Sequence, residues 1–297
     1  MAKRVKRSPG ALLHRSCGAM AAYMLLLEKF PSFRTRQMRL EGATTRRRES
    51  RINLKQVKLV TIKTVVNVVY KTAQQNISQQ QIKSQITALN KDFRATNPDK
   101  SQTPVPWQGL VTDSRIQFKL VKVVRKKTDV EAFGADDDMK SPATGGVAAH
   151  QPKSHLNIWV CALGGGLLGY AQFPGGPVST DGVVINYRAF GTMGTAQAPF
   201  NKGRTTTHEV GHFFNLRHIW ADTPDCGGTD NVADTPNCAG PNFGTPNWPI
   251  ITCNNGPNGD MFMNYMDYTD DAAMFMFTTQ QVLRMRTALE TGRPGLM

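Results

Sequence analysis

HEVGHFFNLRH occupies His208 to His218, and the reading of that stretch decides the fold. His208 and His212 stand four residues apart, so on a helix both imidazoles leave one face and aim at one point. Glu209 sits beside them as a candidate general base. His218 cannot reach the same point while the helix continues. Ten further residues would carry it about 80° around the axis and about 15 Å along it. Zinc–nitrogen bonds are only about 2.0–2.1 Å, so a shared ion requires a sharp turn after His212. Asn215 is the candidate for that turn, because asparagine tolerates the left-handed conformation that ends helices. The spacing predicts a zinc site of His208, His212 and His218 with a fourth position open to water, which is a catalytic arrangement.

HExxH alone also occurs on ordinary helices, where a buried histidine bonded to backbone is the plain explanation. Two readings compete with a catalytic three-histidine zinc site. One is a zinc hydrolase of another zincin type, whose third ligand is a downstream glutamate. The other is a non-catalytic basic interaction protein with structural histidines.

The chain has 297 residues and a formal charge of +14, unevenly spread. Residues 1–60 hold 15 Lys and Arg against 3 Asp and Glu, and the remainder holds 21 against 19. The basic excess thus belongs to an N-terminal segment. It lacks the interleaved aromatics and motifs of a nucleic-acid interface, so no nucleic-acid partner is expected. No run of 18 apolar residues exists, so no membrane span is expected. ALLHRSCGAMAAYMLLL is broken by His14 and Arg15 and makes a poor signal peptide.

Residues 1–52 read as a detachable basic segment. A short amphipathic stretch spans Ala21–Phe30, and the arginine tract at Arg46–Arg48 and Arg51 is a candidate processing site. From Val57 to Tyr70 the pattern alternates and then becomes continuously apolar, as a strand entering a core does. Ser78 and Gln81 form a possible capping box before Ile82, Ile86, Leu89 and Phe93 at helical spacing. Further strands are predicted at Ile116–Val124, Leu156–Leu163 and Gly182–Tyr187. The metal helix is predicted at Arg204–Asn215 and a terminal helix at Thr279–Glu290. GGGLLGYAQFPGG, at 164–176, reads as an exposed edge strand able to accept an extended peptide.

HEVGHFFNLRH followed by NYMDY at 264–268 resembles the metzincin metallopeptidases. Within them the chain is most similar to the pappalysin branch, which includes pregnancy-associated plasma protein-A and bacterial relatives. LNIWVC, STDGVVI and CNNGPNGDMFMNYMDYTDD extend the likeness across residues 57–297. It implies an α/β (α+β) zincin with a twisted, mostly parallel sheet. The active-site helix would lie in an upper subdomain (53–218), and a Met-turn and terminal helix in an irregular lower one (219–297). His208, His212 and His218 would hold zinc, with Glu209 as general base. Met266 would be the methionine beneath the metal and Tyr268 a stabiliser of the oxyanion. Many metzincins carry glycine where this chain has Asn215, a change asparagine can accommodate.

The resemblance implies more. Cys226 and Cys253 would correspond to a disulfide of the relatives, and Cys238 would lack its partner, because Ala272 and Ala273 stand there. Asp222, Asp225, Asp230 and Asp234 offer hard oxygens for calcium, with Asp230 and Asp234 as the better ligands. Arg-Ser-Cys-Gly at 15–18 is similar to the segment by which metzincin zymogens silence themselves. Cys17 would then ligate zinc in the latent form, with the chain's own propeptide (1–52) as inhibitor of the catalytic domain (53–297). Relatives often cleave before a basic residue, and Asp270 and Asp271 are candidate acids for that pocket. The expectation is a secreted endopeptidase acting on protein or peptide substrates.

Overall fold

A computed structural model describes residues 14–50 and 52–297. The basic run at 1–13 and Arg51 of the expected processing site lie outside them. In chain order the main elements are α1 (Ala19–Lys29), α2 (Pro31–Glu49), β1 (Val60–Tyr70), α3 (Gln79–Phe93), α4 (Val105–Gln108), β2 (Ile116–Lys127), β3 (Leu156–Cys161), β4 (Gly169–Ala171), β5 (Val183–Asn186), α5 (Arg204–Phe213) and α6 (Thr279–Thr287).

The five strands form one sheet in the order β2-β1-β3-β5-β4. Each neighbouring pair among the first four is parallel, and β4 runs antiparallel to β5 at the edge. Parallel strands are covered on both faces, so β3 and β5 are buried at every residue and are apolar apart from Asn157 and Asn186. The β1–β2 register slips between Thr64 and Val65, and β2 continues to Lys127 as an outer edge rich in lysine.

Helix α3 turns Ile82, Ile86, Leu89 and Phe93 into the core, and Ser78 caps it by accepting the Gln81 amide at 3.1 Å. The capping box is only half made. The Gln81 side chain donates to the Phe190 carbonyl at 2.8 Å instead of returning to Ser78. Helix α6 does carry the full box, between Thr278 and Gln281. It yields to a wider turn at Ala288–Gly292 rather than running as α-helix to Glu290.

The arginine-rich tract is no loose tail. Residues Pro31–Glu49 form the 19-residue helix α2, which packs on α6 and buries Phe33, Gln37 and Leu40. Beyond α5 the chain is irregular, tied by the Cys226–Cys253 disulfide. Cys161 and Cys238 are buried free thiols. No helix among the described residues is long and apolar enough to cross a membrane.

Candidate metal centre

Helix α5 begins beside Asp271, whose Oδ2 accepts the amides of Lys202 and Arg204 at 2.7 and 3.2 Å. A carboxylate there complements the positive end of the helix dipole. The helix ends at Phe213, two residues before Asn215. Asn215 has φ +71°, its amide bonds the His212 carbonyl at 2.9 Å, and the Leu216 amide bonds the Gly211 carbonyl at 3.0 Å. These two bonds are a Schellman ending, in which a left-handed residue reverses the chain. The reversal returns His218 toward the helix.

Each imidazole is oriented through Nδ1. His208 Nδ1 faces the Tyr265 carbonyl at 2.7 Å, His212 Nδ1 the Leu216 carbonyl at 2.8 Å, and His218 Nδ1 the Asp222 carboxylate at 2.6 Å. All three partners are acceptors, so each ring carries its proton on Nδ1 and turns a lone pair outward on Nε2. The three Nε2 atoms then face one another at 3.1, 3.1 and 3.2 Å. Nitrogens on a tetrahedral zinc stand about 3.3 Å apart, so the triangle fits one such ion. Three converging lone pairs without a proton between them repel unless a cation sits among them. Burial pushes His208 and His212 well below the usual histidine range, with neighbouring imidazoles adding to it, so both rings are neutral.

Cys17 Sγ completes the group, all four donor atoms lying within 4.8 Å of one another. The sulfur also accepts the Ala19 amide at 3.3 Å and lies 3.3 Å from Glu209 Oε2. Burial and then the charge of Glu209 push the thiol up. A divalent cation reverses that balance by favouring thiolate. Glu209 is fully buried, and burial raises its carboxyl to about 8, with Cys17 and Arg15 opposing. Its Oε1 has no hydrogen-bond partner among the described residues. Tyr268 OH accepts the Cys17 amide at 3.3 Å, while its ring abuts His218 at 4.9 Å. Trp220 stacks on His218 at 4.3 Å and 6° and also meets the Tyr268 ring edge-on at 4.6 Å, so the three rings pack as one cluster.

Met266 is fully buried under α5 in a tight turn. Asn264 Oδ1 accepts the Met266 amide at 3.0 Å, and Asn264 exchanges two amide hydrogen bonds with Gln281 of α6. This pairing anchors the turn to the terminal helix.

The segment before α1 lies along β4. The Leu168 amide donates to the Ser16 carbonyl at 3.1 Å and the Gly18 amide to the Gly169 carbonyl at 2.9 Å, a parallel pairing. The edge strand expected to be exposed is therefore covered by the chain's own N-terminal segment. Arg15, the first residue of the Arg-Ser-Cys-Gly segment, enters a buried pocket. It donates to Asp271 Oδ1 at 2.7 Å, Thr205 Oγ1 at 3.0 Å and the Thr269 carbonyl at 3.1 Å. Asp270 takes no part in these hydrogen bonds, although the Arg15 charge acts on its carboxyl, opposing the upward push of burial. Asp222 orients His218 rather than joining an acidic cluster. Asp230 accepts from Thr235 Oγ1 and the Val232 amide, and Asp234 from Thr278 Oγ1 and the Gln280 amide. Neither joins a third acidic, histidine or cysteine ligand among the described residues.

A mixed sheet above a helix that carries two of three converging imidazoles defines a metal-dependent hydrolase. Comparison with known proteins narrows the class. The family model described as pregnancy-associated plasma protein-A, peptidase M43, matches residues 147–290. Mature mirolysin of Tannerella forsythia, solved with a cleaved peptide, is 47% identical with a TM-score of 0.79, over 81% of this chain and 96% of that one. A promirolysin mutant of the same organism is 42% identical with a TM-score of 0.85, over 95% and 97%. An extracellular metalloprotease of Arthroderma otae is 32% identical over 245 residues, 80% of each chain. The chain belongs to the pappalysin family of metallopeptidases. That membership sets aside both the other zincin type and the basic interaction protein.

Proposed function

We propose that this protein is a secreted zinc endopeptidase made as a latent precursor. The observation that carries the reading is the triangle of three Nε2 lone pairs, each ring locked through Nδ1. His208, His212 and His218 would hold zinc, which when bound supplies Lewis acidity to the attacking water and the scissile carbonyl. Glu209, next to His208 on the same helix and beside the three converging imidazoles, takes the water's proton and delivers it to the leaving amine. The Tyr268 hydroxyl, beside the same centre, donates to the oxyanion that develops on the carbonyl.

Latency rests on Cys17 as fourth ligand, with Ser16–Gly18 covering β4 and Tyr268 engaged by the Cys17 amide. The covered share of this chain rises from 81% against mature mirolysin to 95% against promirolysin, which supports a precursor segment here. Removal of that segment by cleavage near Arg46–Arg51 opens the site. Arg15 in the Asp271 pocket supports a preference for a basic residue after the scissile bond. Secretion is proposed from the extracellular naming of the fungal relatives.

Glu209→Ala tests the chemistry. The processed variant keeps its metal and fold and loses casein or gelatin cleavage by about 10²–10⁴-fold. Cleavage at the parent rate would move the base elsewhere.

A further inference from the structure

Phe173, just beyond β4, touches the metal centre on one side and the N-terminal segment on the other. Its ring stands 5.4 Å from that of His212. On the opposite side it meets Tyr23 of α1 edge-on, 4.8 Å between centroids at 62°. Arg217 covers the same tyrosine, its guanidinium carbon 5.6 Å from the ring centre and its Nη2 donating to the hydroxyl at 3.5 Å. Phe33 closes the outside at 5.5 Å, leaving Tyr23 only 7% exposed. The result is a slot with an aromatic wall, a cationic roof and a zinc-type ligand at its back. Arg217 lies between Leu216 of the helix-ending turn and His218, so its backbone is held from both sides.

Two side chains of the N-terminal segment thus flank Cys17. Arg15 enters the Asp271 pocket before it, and Tyr23 enters the Phe173 slot after it. With the segment gone, Phe173 loses Tyr23, Phe33 and Ala19, leaving an apolar ring bare beside the reacting centre. We propose that Phe173 and Arg217 form a specificity subsite for an aromatic side chain of the substrate, on the amino-terminal side of the scissile bond. This rests on the proposed reading that Asp271 takes the basic residue on the carboxy-terminal side. Ring edge contact and cation–π attraction both favour Tyr or Phe over an aliphatic side chain. From Ala19 to Tyr23 the helix advances about 6 Å, equal to about two residues of extended peptide. The aromatic side chain therefore belongs two to four residues before the bond.

The test uses the full chain after proteolytic processing and quenched-fluorescent peptides with one Arg after the cleavage site. Tyr, Phe, Leu or Ala is placed in turn at the second, third and fourth positions before the bond. At one position Tyr and Phe raise kcat/KM about tenfold over Ala. In Phe173→Leu and in Arg217→Met the Tyr/Ala ratio falls toward one, each ratio being read within its own enzyme. Cleavage of all peptides with a flat ratio at all three positions overturns the subsite while leaving the peptidase intact. A flat ratio in processed protein that runs as a dimer gives the bared face to self-association and overturns it too. Failure to cut any peptide overturns the peptidase reading and the subsite with it.

Discussion

Met266 Sδ fills the space above Gly211, where a Cβ would approach it to 2.5 Å. Met266 is fully buried and its turn is pinned to α6, so the sulfur has little room to retreat. The methionine and the glycine one residue before His212 therefore fit as a pair. Gly211→Ala gains about 1 kcal/mol of helix propensity but incurs about 1–3 kcal/mol of overpacking. The single variant is expected to be less stable and to hold metal more weakly. Combining it with Met266→Ala removes the clash and leaves the propensity gain, so the substitution at 211 becomes neutral or favourable. Thermal melts and metal titrations across the four-variant cycle check this. Additive effects would mean that the two residues do not oppose each other.

Cys17→Ala removes one of four donor atoms grouped at the centre. The full-length variant is expected to degrade itself or to cleave casein before processing, at least about tenfold faster than the unprocessed parent. Gel analysis with and without a chelator reads the outcome. A precursor as silent and intact as the parent would remove the cysteine from latency.

Asp271 faces two ways, with Oδ1 toward Arg15 and Oδ2 toward the start of α5. Asp271→Asn keeps an acceptor for the helix amides and loses the charge. Kinetics on peptides differing only after the scissile bond should show the advantage of Arg over Ala falling by about ten- to a hundredfold, as expected when a buried charge loses its partner. An unchanged Arg/Ala ratio would locate the basic pocket elsewhere.

Asp267 lies between Met266 and Tyr268 and is fully buried, which raises its carboxyl to about 7 against the opposing hydrogen bonds of Asn242 and the Tyr268 amide. An acid raised above its unfolded value near 3.8 binds its proton more tightly in the folded chain. Its contribution is greatest at low pH and is lost as pH rises toward about 7. Asp267→Asn lacks this titration. The Tm of the parent minus that of the variant should fall between about pH 5 and pH 7.5 and level off above. A difference that is constant with pH would contradict the assignment.

The sheet and the two inner helices were legible because their residues face one core. The alternation at Val60–Tyr70 and the 3–4 spacing of Ile82, Ile86, Leu89 and Phe93 are local patterns that packing reinforces. Asn215 was legible because few residues accept a positive φ. What was hidden is what depends on distant partners. Helix α2 buries only Phe33, Gln37 and Leu40 among arginines, so its stability comes from docking on α6, including the buried Arg284 that pairs with Glu41. Two of the three groups that orient the histidines are backbone carbonyls, of Tyr265 and Leu216, which no side-chain motif announces. Arg15 and Asp271 are 256 residues apart. Gln81 looked like a box-forming cap because nothing local marks the Phe190 carbonyl that takes its side chain.

The measurement nearest the centre of all this is metal content with anomalous scattering at the zinc edge. One zinc per chain is expected, with a single anomalous peak equidistant from the Nε2 atoms of His208, His212 and His218. His212→Ala should lose it, and chelation should abolish cleavage by processed protein. Chain purified without zinc, lacking a peak among those rings yet still cleaving peptide in the presence of chelator, would contradict it.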